Sequence, residues 1–460
     1  MSPLARLLIA SQFAFNTGFF AVLPYLAGHL GGTLGLGGWL VGLVLGLRTF
    51  SQQGLFVVGG ALTDRFGPRP VVLAGCALRV AGFAWLAWAE AVWAVIAAVV
   101  LVGFAAALFS PAVESEAARE AVRLEDTAGL PRTRLLARFS AAGQAGALLG
   151  PVLGAALSAG GFRTACAAGA VVFLLVLAGH ARLMPGPAAD TTGRARTARR
   201  PGAGGIPAEP GRALRHRPFL ALTAAYAAYL VAYNQLYLAL PAELDRATGS
   251  QAALGWLFAL SSALVVAGQL PLERWAARRM SWAASLRAGL VVVAGAFAAG
   301  GALRGAGGLW SPVVFVVLLS IGQMLVSPAV RAWLPDLVDA RRLGLYTGAM
   351  SSLAGLAVLA GGAPAGALAG TAWYWPVLAA VALLGVAAVP RGPTAQRGGA
   401  DGAAAGRDLP GADGDMAAPD PSGAGRDPDG AEGSRTGPDG SRTGADGVAD
   451  GPATLRAPRS

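Results

Sequence analysis

The sequence predicts an all-α membrane protein: twelve transmembrane helices arranged as two pseudo-symmetric six-helix bundles. Three observations predict it. Apolar segments of about 20 residues, the length that crosses ~30 Å of hydrocarbon as a helix, recur along the chain. Arginines alternate between the connecting loops in step with those segments. The second half of the chain repeats polar motifs of the first at a nearly constant offset.

Composition agrees with a lipid environment. Of 460 residues 55% are hydrophobic and 13% charged, against roughly 25% charged in soluble domains. The 66 glycines suit close helix approach in a bilayer. The chain has no Lys, so all 36 of its Lys-plus-Arg residues are Arg. Arg stays protonated in proteins, which leaves no basic side chain except His to carry a proton. The net charge of +11 does not indicate nucleic acid binding, because the arginines lie in short loops between apolar runs rather than on one soluble face. Cys76 and Cys166 sit inside apolar runs, without the clustered spacing that a disulfide framework or metal site needs. No metal and no cofactor is expected.

The predicted spans are residues 7–28, 38–61, 71–89, 92–113, 139–159, 163–184, 218–240, 252–272, 282–303, 309–330, 344–368 and 372–390. The first is long enough to cross rather than to be a cleaved signal. The nearly continuous run from Val71 to Val113 is divided at Glu90, because a charge is cheap only at an interface. Arg65 and Arg69 follow the second span, Arg119, Arg123, Arg132, Arg134 and Arg138 the fourth, and Arg274, Arg278 and Arg279 the eighth; the odd loops hold Arg163, Arg246 and Arg304. Positive loops stay in the cytoplasm, so both termini are expected there, in a multi-pass bacterial cell membrane protein. Residues 1–184 then form one bundle and 218–390 the other. Residues 185–217, rich in Arg, Pro and Gly, form a cytoplasmic linker, and the Gly/Ala/Asp/Pro-rich 391–460 a disordered cytoplasmic tail.

Ser110-Pro-Ala-Val113 ends the fourth span, and Ser327-Pro-Ala-Val330 ends the tenth 217 residues later. Pro24 matches Pro241, Asn16 matches Asn234, Asp64-Arg65 is echoed by Glu273-Arg274, and Arg79 by Arg287. Duplicated bundles with a midplane site between them form a recurrent transporter architecture.

The sharpest motif is Gly60-x-x-x-Asp64-Arg65-x-Gly67-x-Arg69, placed in a loop of about ten residues after the second span. Gly60 suits close helix approach and Gly67 a tight turn. Asp64 can cap a helix, pair with Arg or meet a helix N-terminus. This motif resembles the signature loop of the major facilitator superfamily. The stretch from Val41 through Arg48, Gln52 and Gln53 to Phe83 is similar to bacterial multidrug exporters of its drug/proton antiporter branch, of the MdtH type. The resemblance implies alternating access, a small-molecule substrate, protons as the coupling ion, and a gating loop whose Asp64 meets the start of the eleventh helix near Gly344. Gly146, Gly150, Pro151 and Gly154 in the fifth span resemble the antiporter motif of that branch. Their i, i+4, i+8 spacing equally suits plain small-residue packing.

Arg48 and Arg79 are intramembrane charges, a functional hypothesis by default; ion pairing, cavity lining and snorkelling are the readings open to them. Glu114 is the acid nearest a helix expected to line the cavity and is the candidate proton carrier. It could equally be a surface acid beside Glu116 and Glu120. Members of that branch often place an acid inside helix 1 or helix 4, and here those helices offer Ser11, Gln12, Asn16 and Ser110 instead. Asn16, Gln52, Gln144 and Asn234 are candidate cavity contacts, as are the aromatics Phe13, Phe15, Phe19, Phe20, Tyr226, Tyr229, Tyr233 and Tyr237. Without Lys the chain holds no Gly-x-x-x-x-Gly-Lys phosphate loop, and no nucleophile–base constellation suggests an enzyme. The expectation is a secondary transporter that exports amphipathic small molecules, with an uptake carrier for a metabolite as the alternative. Lipid and substrate are the expected partners, with no obligate protein partner.

Overall fold

The computed structural model describes residues 2–184, 216–338 and 343–389, and all regular structure among them is helical. In the first half, α1 spans Pro3–Gly28, α2 Gly38–Phe66, α3 Pro68–Trp88, α4 Val92–Ala128, α5 Arg132–Ser158 and α6 Phe162–Leu183. In the second, α7 runs in two segments, Arg217–Asn234 and Leu236–Thr248, broken at Gln235. It is followed by α8 (Leu254–Arg279), α9 (Trp282–Ala302), α10 (Trp310–Leu337), α11 (Leu343–Leu368) and α12 (Tyr374–Ala388). Ten of the twelve are long and apolar enough to cross a membrane; α7 is interrupted and α12 is shorter. Most of the expected linker and the whole expected tail, residues 185–215 and 390–460, lie outside the described residues.

Each predicted span has its helix, and the break at Glu90 falls as expected between Trp88 and Val92. Glu90 there pairs with Arg163, at the start of α6, across 2.9 Å. Several boundaries differ from the sequence expectation, and three of them bear on the site. The motif 60–69 is not a loop of about ten residues. Helix α2 continues through Asp64 and Arg65 to Phe66, and α3 begins at Pro68. Gly67 alone makes the turn, at φ 83°, a conformation that costs glycine little. The single-residue connection works because Pro68 enters the first helical turn, where its missing N–H is no loss.

Helix α4 likewise runs through Pro111 and past its expected end at Val113 to Ala128. The extension keeps one face buried, with Ala117 in the main core and Ala121 and Leu124 against Ala5 of α1 and Leu135 of α5. Buried Glu120 on that face bonds Ser2 and pairs with Arg123. An amphipathic face, not hydropathy alone, decides where this helix stops. It ends at left-handed Gly129, whose N–H bonds Glu125 O while Leu130 N–H bonds Leu124 O, a paired C-cap. Helix α10 runs past Pro328 to Leu337 in the same way.

Packing shows the duplication that the repeated motifs suggest. Pairs α1–α5, α3–α4, α3–α6 and α1–α6 recur as α7–α11, α9–α10, α9–α12 and α7–α12. The halves meet mainly through α2–α11 and α5–α8, two contacts that a pseudo-two-fold axis exchanges. The fold is therefore a pair of equivalent bundles joined along two equivalent seams.

Candidate functional site: the interface between the bundles

The α2–α11 seam is built on glycine. Gly38, Gly42 and Gly46 repeat at i, i+4 and i+8, and they face Gly366, Gly362 and the Val358–Leu359 backbone. A Cβ on Gly42 would strike the carbonyl of Gly362, and one on Gly366 the carbonyl of Gly38. Small residues let the two backbones touch where no hydrophobic force favours one helix over lipid. The seam continues to Gly54, whose carbonyl accepts from Ser352 at 2.7 Å. Gly60 was expected to serve close approach, but a Cβ there meets only open space; Gly59 is the tight position, against the Ala107 backbone of α4.

The α5–α8 seam uses a proline. Pro151 has no N–H, so the carbonyl of Ala147 one turn earlier loses its helical donor. The Ser262 hydroxyl of α8 donates to that carbonyl at 3.0 Å. Tyr25 of α1 donates to the Pro151 carbonyl at 2.6 Å. The antiporter-like glycines face α1: Cβ atoms on Gly146, Gly150 and Gly154 would meet the Phe13, Thr17 and Ala21 carbonyls. Those glycines thus pack within one bundle, while Pro151 serves the contact between bundles.

At the centre, α2 widens into a π turn at Phe50–Gly54, a feature frequent at functional sites. Just before it, Thr49 donates to Asn234 of α7 at 2.8 Å, a buried bond between the halves. Arg48, 7% exposed, donates to Thr49 at 2.9 Å and lies over the rings of Phe19 and Tyr237. Gln52 accepts from it at a long 3.5 Å. Its Nε has no hydrogen-bond partner among the described residues.

Arg79 is 1% exposed, which rules out snorkelling. It donates to the Val102 carbonyl at 2.9 Å and sits among the rings of Phe15, Phe19, Phe83 and Phe173 at 4.9–5.4 Å. A desolvated cation–π contact contributes up to about 2 kcal/mol. Four of them rival the ~3 kcal/mol that translocon scales assign to an arginine at a helix centre. Arg79 is thus partly compensated by the aromatic packing around it, with its Nε and Nη2 left without a hydrogen-bond partner among the described residues. Arg48 has half as many rings and faces the other bundle. Of the aromatics expected to line a pocket, Phe15 is instead a wall of the Arg79 box, whereas Phe19 is both a wall of that box and a neighbour of Arg48.

On the side of the Arg-rich loops the bundles part around a cavity of about 710 Å³. Its lining brings together Gly60, Asp64 and Glu114 with Leu343, Gly344 and Gly348 at the start of α11. This is the neighbourhood that the resemblance implied for Asp64. Asp64 and Glu114 are both exposed, and partial burial in the cavity wall already pushes the Glu114 carboxyl above the usual carboxylate range. Arg65 stacks on its own Phe66 at 5.3 Å, and Arg69 donates to Ala181 O of α6 at 2.8 Å, so both basic residues of the motif stay within the first bundle. Asn16 donates to Gln12 O one turn back at 3.0 Å, and Gln144 is exposed. On the opposite side a second cavity, of about 450 Å³, is lined by Tyr25, His29, Phe162 and Gln251.

Sequence reasoning missed Thr49 and Ser262, and also Glu243. Glu243 is 4% exposed and receives Arg246 Nε at 3.0 Å, Arg304 Nε at 3.1 Å and Ser311 at 3.0 Å. It ties the end of α7 to the α9–α10 turn. The signals were present in Arg246 at i+3 and in two of the three odd-loop arginines, Arg246 and Arg304.

Two duplicated bundles, two seams and polar groups buried between them define a membrane transporter rather than an enzyme. Residues 7–246 match the profile of the Major Facilitator Superfamily, and the chain belongs to that family. It is 36% identical over 373 residues to an uncharacterized MFS-type transporter of Mycobacterium tuberculosis, covering 79% of this chain and 85% of the relative. It is 32% identical over 331 residues to the multidrug resistance protein MdtH of Yersinia pestis, covering 72% and 78%. Among solved structures, a peptide transporter POT superposes with TM-score 0.67 at 17% identity, covering 84% of this chain and 93% of that one. The nucleoside transporter NupG superposes with TM-score 0.66 at 13% identity, covering 84% and 98%. At such identities these two share the fold alone.

Proposed function

We propose that this chain exports amphipathic small molecules from a bacterial cell by alternating access, driven by proton entry. The observation that carries the reading is the asymmetry of the interface. Glycine closes it tightly from Gly38 to Gly54, while beyond Gly60 it opens into the cavity that holds Asp64 and Glu114. Rocking of two equivalent bundles would exchange these two conditions. Similarity to a relative named a multidrug resistance protein supports amphipathic substrates. In this reading residues 1–184 and 218–390 are the moving bodies, both termini are cytoplasmic, and the Asp64 end of α2 latches against α11 when the cavity closes. Glu114 is the proton carrier: closure would desolvate it, favour its neutral form and so couple protonation to conformation.

The test is dye accumulation in everted membrane vesicles, using amphipathic fluorophores of positive, zero and negative charge. Uptake of at least one dye into the vesicles, collapsed by a protonophore and lost in Asp64→Asn at equal protein level, is the expected result. Flux in the opposite direction would overturn export in favour of an uptake carrier. Flux indifferent to the protonophore would overturn proton coupling.

A further inference from the structure

The twelve apolar spans contain no Asp or Glu, yet two of their arginines, Arg48 and Arg79, are buried. Neither guanidinium has a carboxylate within salt-bridge distance among the described residues, and both lie over the Phe19 ring. The intramembrane charge of the first bundle is therefore positive, with no counter-ion of its own. Arg79 is walled in by phenyl rings. Both leave guanidinium nitrogens without a hydrogen-bond partner among the described residues, Nε of Arg48 and Nε and Nη2 of Arg79, but Arg48 stands at the junction of the bundles beside the Thr49–Asn234 bond, under a tyrosine of the opposite half. Parting the halves at that bond would remove Tyr237 and Asn234 from Arg48 and Thr49. It would leave a desolvated fork of donors beside an apolar cleft of about 20 Å³, lined by Val22, Leu26 and Leu86, which would have to widen to seat a tail.

We infer that Arg48 receives the anionic head group of an amphipathic acid, a carboxylate or sulfonate joined to an apolar or aromatic tail, at the junction of the two bundles. The planar fork binds such a head group bidentately. Phe19 flanks it, Tyr237 gives way as the halves part, and Arg79 behind Phe19 raises the local positive potential without touching the ligand. This inference names the substrate class for the transport reading and rests on it.

The test uses the full chain in phosphatidylcholine nanodiscs, titrated by tryptophan fluorescence with three molecules of one tail: 4-phenylbutanoate, 4-phenylbutan-1-ol and 4-phenylbutylammonium. Empty discs correct for partitioning. The acid is expected to bind about tenfold more tightly than the alcohol, as one charge-assisted pair gives, and the ammonium most weakly. Arg48→Gln is expected to bring acid and alcohol to parity, and Arg48→Lys to keep most of the preference. Parity of acid and alcohol in the wild type, tighter binding of the ammonium, or a preference that survives Arg48→Gln would overturn the assignment. If Arg48→Gln does not fold, the wild-type ranking still decides. The head group of an anionic lipid has the same chemistry. Loss of the acid's advantage in phosphatidylglycerol discs would give the site to lipid and overturn the substrate assignment, whereas an advantage that persists there supports it. Head-group ranking is read without flux, so an acid preference in a chain that moves no dye would sink export and leave the Arg48 site standing.

Discussion

Ser262 of α8 donates its hydroxyl to the carbonyl of Ala147 in α5, the one carbonyl of that helix that Pro151 deprives of a donor. A proline in one bundle thus creates the acceptor, and a serine in the other satisfies it. Removing the hydroxyl leaves the carbonyl orphaned, at a cost of about 1–3 kcal/mol. Ser262→Ala should lower the unfolding midpoint of the purified protein. In a Pro151→Ala background, where residue 151 again supplies an N–H, Ser262→Ala should cost less than half as much. Additive losses in this double-mutant cycle would refute the link.

The glycine seam predicts a state-specific defect. Gly42→Ala places a Cβ into the Gly362 carbonyl and should disfavour the state in which α2 and α11 touch. Folding should survive, because the clash lies between bundles rather than within one. Introduced cysteines on the Gly38–Gly366 side should label about tenfold faster than in the parent, a bias of roughly 1.4 kcal/mol. Gly295→Ala, with open space around its Cβ, should leave labelling unchanged.

Glu243 predicts a stability effect with no direct effect on substrate. Glu243→Gln removes the charge that holds Arg246 and Arg304. Both arginines are partly exposed, so the cost should fall near 2 kcal/mol, below that of breaking a fully buried pair. A thermal melt of the variant checks this. An unchanged midpoint would show that solvent already screens the network.

Glu114 gives the sharpest test of coupling. Glu114→Gln should retain dye binding, and its flux should no longer respond to an imposed pH gradient. Flux in this variant that still follows the gradient would move the proton to another group. Asp64, in the same cavity, would be the next to replace.

The division between legible and illegible features follows the range of the forces involved. The twelve helices were legible because hydropathy and length are local properties, and the duplication was legible in paired positions such as Pro24 and Pro241. The neighbourhood of Asp64 and Gly344 came from the family resemblance. The helical extensions past Val113 and Ala61 were hidden, because charge in the sequence marks the edge of the bilayer and not the end of a helix. Gly38, Gly42 and Gly46 have a readable spacing, yet that spacing alone could not choose between α11, lipid and a neighbour in the same bundle.

The polar residues show the boundary most clearly. From the sequence, Arg48 and Arg79 are equivalent intramembrane charges, and Asn16 and Asn234 are equivalent polar matches between halves. The folded chain separates each pair. Arg79 is enclosed by four rings, whereas Arg48 stands at the bundle junction; Asn16 bonds its own helix, whereas Asn234 bonds Thr49 across the interface. The sequence by itself determined that this chain is a duplicated twelve-helix membrane transporter, since burial in lipid and loop charge act residue by residue. Only the tertiary structure decided which buried polar groups are compensated and which remain available, because that depends on partners brought together from more than a hundred residues away.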